Sequence, residues 1–334
     1  RDRWLALDQA RILSAKADVD FLAAEYDLMA RLTKAYFDVL SAQDTLTFVI
    51  ADKKAIARQL EQAKQRFEVG LIAITSVHEA QAAFDGATAN QIKAENNLDN
   101  ANEALSEIVG NRNYQLDTVV EELELARPSP EDLSVWTETA LKQNPFVIGA
   151  RNSSEIAQKE IEVQRSGHYP TLDLVGSYGL NRTESNNGSD VDVGSVGLQL
   201  ALPLYSGGGV VAATKQAQYD FEAAQLDLEQ QQRAVTREVR DAYRGVLASI
   251  SEVKALAATV VSSKSAVDAT EAGYEVGTRT IVDVLNSQRN LFSTMNDYAN
   301  ARYNYILNGL LLKKAAGTLT IEDLRQVSSA WLEK

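Results

Sequence analysis

A chain of 334 residues with a formal charge of -13, and no cluster of Lys or Arg to offset it, does not suit nucleic acid, whose phosphates demand a basic surface. It has no cysteine, which removes thiol chemistry and cysteine-based metal sites, and no apolar run of about 18 residues or more, which excludes a spanning helix. Only 7% of residues are aromatic and 5 are proline, the composition of long helices packed through small side chains.

Residues 1–110 recur as residues 208–317 without a gap. The offset of 207 pairs Ala35-Tyr36 with Ala242-Tyr243, Glu68-Val69-Gly70 with Glu275-Val276-Gly277, Ile74 with Ile281 and Gly110 with Gly317. A unit duplicated around a different middle section argues for one interlocked body rather than separate domains. The opening residues, Arg1-Asp2-Arg3-Trp4, already fall inside the repeat, so residues upstream of them are expected.

From Trp4 to about Arg66 there is neither proline nor glycine, and Leu28, Leu32, Tyr36, Val39 with Leu40, and then Leu46 and Val49 recur mostly at spacings of three or four. This predicts one helix, or two end to end, roughly 90 to 100 Å long at about 1.5 Å per residue. Gly70 is a natural stop, and Ser76-Val77-His78-Glu79 fits a capping box opening a return helix that Gly110 ends. The stretch 1–110 is thus a first helical hairpin. Residues 111–167 are an irregular acidic segment followed by helix, with a break at Pro145 and an end at Pro170.

Residues 171–203 change period. Leu172, Leu174, Gly176, Tyr178 and Leu180 alternate with small or polar residues, and after a polar loop containing Asn187-Gly188 so do Val196, Leu198, Leu200 and Leu202. The region 168–207 therefore reads as a hairpin of two strands of about ten residues, the length and dyad pattern of a membrane barrel strand. A hairpin on a soluble core has the same pattern, but flanking helices of such length offer no core to cover its apolar face. Two strands cannot close a barrel, and open edges are forbidden in hydrocarbon, so the barrel must be shared between chains. If the duplication extends upstream, a further hairpin precedes Arg1, and two or three chains would make eight or twelve strands, both permitted. The second copy, 208–317, predicts a helix from about Val211 to Ala272, a turn at Val276-Gly277-Thr278-Arg279, a capping box at Thr280-Ile281-Val282-Asp283 and a helix to Ala316; residues 318–334 form a C-terminal segment.

The segments Ala35 to Leu40, Arg66 to Leu71, Asn96 to Ala101, Gly167 to Leu174, Gly273 to Val284 and Ala299 to Tyr305 together resemble the TolC family of outer membrane efflux proteins, from end to end of the chain. The resemblance implies a mainly α fold with a membrane β-hairpin: long antiparallel helical hairpins forming a periplasmic α-barrel, an equatorial belt from 111–167 and 318–334, and strands contributed to a shared trimeric β-barrel. It also implies that a first helix and a first strand hairpin stand before the position of Arg1. The expected function is the passive exit duct of a tripartite efflux or type I secretion system, in the outer membrane of a Gram-negative bacterium. Its expected partners are outer membrane lipid, a periplasmic adaptor and an inner membrane pump of RND, ABC or MFS type; no cofactor and no enzymatic activity are expected. A soluble coiled-coil scaffold or periplasmic adaptor is the alternative.

By the same resemblance, a constriction at the hairpin tips holds the duct closed, with Tyr274, Arg279 and Asp283 on the inner pair as its residues. Three inward carboxylates about a three-fold axis would select cations, and Arg279 can tie neighbouring tips. The family pattern often has a second acid after Asp283 and one on the outer hairpin; here Asn286 and Ser76, beside Thr75, stand there, which implies a looser gate. Asp283 is also the third residue of a capping box, and Tyr274 could be tip packing, since Phe67 is its repeat partner. Arg279 has Ile72 as its partner, so the charge belongs to one tip only. The tip residues Val69, Gly70, Leu71, Val276, Gly277 and Thr278 are where the family's adaptor docks, and Leu172, Leu174, Tyr178, Leu198 and Leu200 are the expected lipid-facing positions. His78 and His168 stand without a second ligand at metal spacing. Opening would shift the inner hairpin (243–300) against the outer one (36–93).

Overall fold

The fold is that of a computed structural model, described for residues 2–111, 116–120, 123–181 and 191–333. The loop with Asn187-Gly188 lies outside these residues, as does part of the acidic stretch after Asn111. Each repeat copy is a helix of 67 residues, a turn and a helix of 36: α1 (Asp2–Glu68) with α2 (Ile74–Val109), and α5 (Gly209–Glu275) with α6 (Ile281–Ala316). Between them lie β1 (Thr118–Val119), α3 (Leu133–Gln143), α4 (Pro145–Ser166), β2 (Thr171–Asn181) and β3 (Val191–Ala201), and after them α7 (Ile321–Trp331) and β4 (Leu332–Glu333). Gly110 and Gly317 close α2 and α6 in the left-handed conformation, at φ 75° and 73°.

One expected helix start is displaced. The cap of α2 is Ala73, with no side-chain hydrogen bond, and Ser76 lies inside the first turn, its amide donating to the Ala73 carbonyl at 3.1 Å. The reason lies in the repeat register, where Ala73 and Ser76 replace Thr280 and Asp283, so the first copy has lost both side chains of the box that caps α6. The exclusion of a spanning helix by composition is also corrected: α5 has the length and an 18-residue window apolar enough for one, by those criteria alone. Its Val, Leu and Ala are interrupted by Ser, Thr and single charges, which hides the window from a search for unbroken apolar runs.

The chain forms two compact units where the duplication suggested one body, and each is assembled from segments distant in sequence. The first comprises residues 1–21 and 145–233. In it α4 meets the start of α1 through Gln9, whose amide donates to Glu160 at 2.8 Å, and through Gly149, where a Cβ would touch Asp20. β2 and β3 form an antiparallel sheet whose register pairs Thr171 with Ala201 and Asn181 with Val191.

The second unit comprises residues 22–144 and 234–334. Its helices pack on a seven-residue pattern. Ala80, Ala87 and Ala94 are buried along α2 ahead of Leu105, small enough for close helix approach, and Val239, Val246, Val253, Val267 and Tyr274 are buried on one register of α5. A polar seam joins α1 to α6: Thr45 donates to Asn296 at 2.7 Å, Ser41 to Asn300, and the Tyr303 hydroxyl to Asp44. Tyrosines also anchor the irregular stretch before α3, with Tyr36 donating to the Asp117 carbonyl at 2.8 Å and Tyr305 to that of Ala126 at 3.1 Å.

Candidate functional site

Both hairpin turns of the second unit end their first helix in the same way. Leu71 donates its amide to the Arg66 carbonyl at 2.8 Å around Gly70 at φ 75°, and Thr278 donates to the Gly273 carbonyl at 2.8 Å around Gly277 at φ 80°. Six-residue closure over a left-handed glycine is the Schellman geometry, which satisfies carbonyls that a helix end leaves bare. The turns then present Val69, Leu71 and Val276 to solvent, each at least 70% exposed.

The two tips differ in what they hold. At the inner one, the Thr280 hydroxyl accepts from the Asp283 amide at 3.2 Å, while Asp283 Oδ2 accepts from the Thr280 amide at 2.8 Å and its hydroxyl at 2.9 Å. The Thr280 amide and hydroxyl, with Arg279 nearby, hold the Asp283 carboxyl below its ordinary range. It is therefore an anion throughout neutral and mildly acidic pH. All three bonds use Oδ2 or the backbone, so capping leaves Oδ1 available, and the structural and charge roles of Asp283 coexist.

Arg279 is exposed and lies over Gly273, where a Cβ would come within 2.7 Å of its Cγ. A glycine at 273 is thus what lets the arginine fold back across its own turn. Asn286 and Thr75 are exposed and Ser76 is half-buried.

Tyr274 differs from its repeat partner. Phe67 is 41% exposed, whereas Tyr274 is 6% exposed in a cluster with Ile56, Leu60 and Ala63 of α1, Ala80 and Ala87 of α2, and Ile281, Val284 and Leu285 of α6. Its hydroxyl is buried with no partner among the described residues, so within the protomer the phenol makes no tether. The sequence reading missed Arg66 of α1, whose guanidinium carbon sits 4.4 Å from the Tyr274 ring centroid and whose Nη1 donates to the Tyr274 carbonyl at 3.3 Å. The signal was present: its repeat partner is Gly273, so this charge too belongs to one tip only.

In the first unit, register pairs Leu172 with Leu200, Leu174 with Leu198, Gly176 with Val196 and Tyr178 with Gly194 on one face. All five expected lipid-facing residues are at least 66% exposed there. The other face carries Asp173 opposite Gln199, and Ser177 opposite Ser195 with hydroxyls 2.8 Å apart. Among the described residues neither outer edge of this sheet has a neighbouring strand.

A family model described as outer membrane efflux protein matches residues 1–111 and 136–318. The chain is 43% identical to the outer membrane protein TolC of Vibrio cholerae, over 98% of this chain and 76% of that protein. It is 40% identical to TolC of Escherichia coli K12, over 98% of this chain and 69% of that one. Among solved structures, the Campylobacter jejuni CmeC outer membrane channel superposes with a TM-score of 0.81 at 17% identity, covering 98% of this chain and 71% of its own.

Proposed function

This chain belongs to the outer membrane efflux protein family, and from that premise we propose where its duct is gated and what engages it. It is an outer membrane channel extending into the periplasm, an exit duct for efflux or type I secretion, and not an enzyme. It works as a homotrimer with a periplasmic adaptor and an inner membrane pump of RND, ABC or MFS type. The strand hairpin supplies its share of a closed barrel, lipid covering the Leu172, Leu174, Tyr178, Leu198 and Leu200 face.

The observation that carries the gate is the exposed Arg279 cation beside the Asp283 anion at one turn, where the other turn has Ile72 and Ser76. Charges on a single tip serve an axis that only the inner hairpin lines. Arg279 ties neighbouring tips, three Asp283 carboxylates form a cation-binding ring, and Val69 to Leu71 and Val276 to Thr278 receive the adaptor. With Asn286 and Ser76 in place of further acids, the ring is single. Opening moves the inner hairpin against the outer one.

Single-channel conductance of the complete trimer in a planar bilayer tests this. A small, cation-favouring conductance is expected, rising several-fold in Arg279→Ser and losing its block by divalent cations in Asp283→Ala. Conductance unchanged in both variants would move the gate elsewhere along the duct.

A further inference from the structure

We infer that Arg66 is a positioning residue of this gate, clasping the inner tip to the outer one within each protomer through the Tyr274 ring and carbonyl. The inference rests on the gate being at the tips.

Arg66 stands in the last turn of α1 and Tyr274 in the last turn of α5, so one cation lies at the negative end of two helix dipoles. Stacked 4.4 Å from the ring centroid, its guanidinium faces the negative π surface, and Nη1 reaches the Tyr274 carbonyl at 3.3 Å. That carbonyl is one a helix end leaves short of partners; it also accepts the turn amide of Gly277, at 3.2 Å. The half-buried Arg66 has no carboxylate partner among the described residues, so its two contacts with Tyr274 are what hold it.

The ring is seated by α1, α2 and α6 side chains, including Ala63, Ala80 and Val284. The hydroxyl, buried and unpartnered, adds no attachment. Ring and carbonyl, rather than phenol oxygen, join the two hairpins. Sliding α5 past α1 must break the stack and strand the guanidinium in a half-apolar site, which is the resistance a closed gate needs. In the first copy the same register place holds exposed Phe67, and the second copy has Gly273 where the first has Arg66, so the cation has no counterpart there.

The test is single-channel conductance of the complete trimer, its assembly verified for each variant, with Arg279→Ser as the independent probe of the gate. Arg66→Gln and Tyr274→Leu should each raise conductance several-fold, and the double variant should rise no further than either alone. Tyr274→Phe, which keeps ring and carbonyl, should match the parent. Arg66→Lys, which keeps the charge and loses the planar stack, should fall between parent and Arg66→Gln, and it stands in if Arg66→Gln does not assemble. Parental conductance in the Arg66 variants while Arg279→Ser opens the duct would overturn the clasp and leave the gate in place. Opening by Tyr274→Phe as great as by Tyr274→Leu would also overturn it, assigning the link to the hydroxyl. If neither the Arg66 variants nor Arg279→Ser opens the duct, the gate at the tips falls and the clasp with it.

Discussion

Asp52 of α1 shows how a half-buried acid contributes to pH behaviour in the second unit. Burial pushes its carboxyl above the ordinary value of 3.8, with Arg289 of α6 opposing, and its Oδ1 is buried without a partner among the described residues. Folding thus favours the protonated acid. The contribution of this group is complete below the ordinary value and is lost as pH rises through the raised one, the reverse of Asp283, whose lowered value makes its contribution present above the ordinary range and lost on acidification. Asp52→Asn is expected to raise the melting temperature at neutral pH and to flatten its decline from mildly acidic to neutral pH, as followed by circular dichroism. An unchanged or lower neutral melting temperature would show that the Arg289 attraction outweighs burial.

At the scale of elements, the duplication makes each helix end a comparison between two copies. Gly110 and Gly317 occupy one register position and share the left-handed conformation, at φ 75° and 73°. A Cβ on Gly110 would meet nothing within 4 Å, while one on Gly317 would lie 2.6 Å from the Gln143 carbonyl. That backbone contact cannot yield, since Asn144 Nδ2 donates to the Ala315 carbonyl at 2.9 Å and Tyr26 donates to the Gly317 carbonyl at 3.1 Å, locking the end of α3 and α1 to the end of α6. Gly110→Ala should cost only the left-handed strain, about 1–2 kcal/mol. Gly317→Ala should cost that and the clash, so its melting temperature should fall clearly further. Equal losses would mean the Gln143 approach is not held in solution.

For the molecule as a whole, membrane placement depends on a sheet that has two strands among the described residues. Two strands with open edges and an uncovered apolar face are stable in hydrocarbon only when neighbouring chains close the barrel. Leu198→Arg, on the apolar face opposite Leu174, places a charge where lipid is expected, at about 2–4 kcal/mol near the bilayer midplane. Trimers in outer membrane fractions should be lost, while Gln199→Arg on the other face should be tolerated. Equal tolerance of the two would mean that the apolar face meets water.

The periods were legible in the residues themselves. Three-and-four spacing, the strict alternation of 171–203 and the glycines at 70, 110, 277 and 317 are local signals, because a helix or strand buries whichever stripe its own pitch brings to one side. The duplication, the strand faces and the Thr280-Asp283 box followed from them. The start of α2 was misplaced although the repeat register pairs Ala73 with Thr280, because a plausible local box drew the boundary from within one copy. Tertiary structure alone decided which copy of a shared position is buried. Val239, Val246, Val253, Val267 and Tyr274 share one register of α5; on that register the first copy also buries Val39 and Leu60 but exposes Phe67, the partner of Tyr274, so the same pitch meets different neighbours. Arg66 could be recognised as a charge unique to one tip, but its partner lies 208 residues away, where only the packing of α1 against α5 brings cation, ring and carbonyl together.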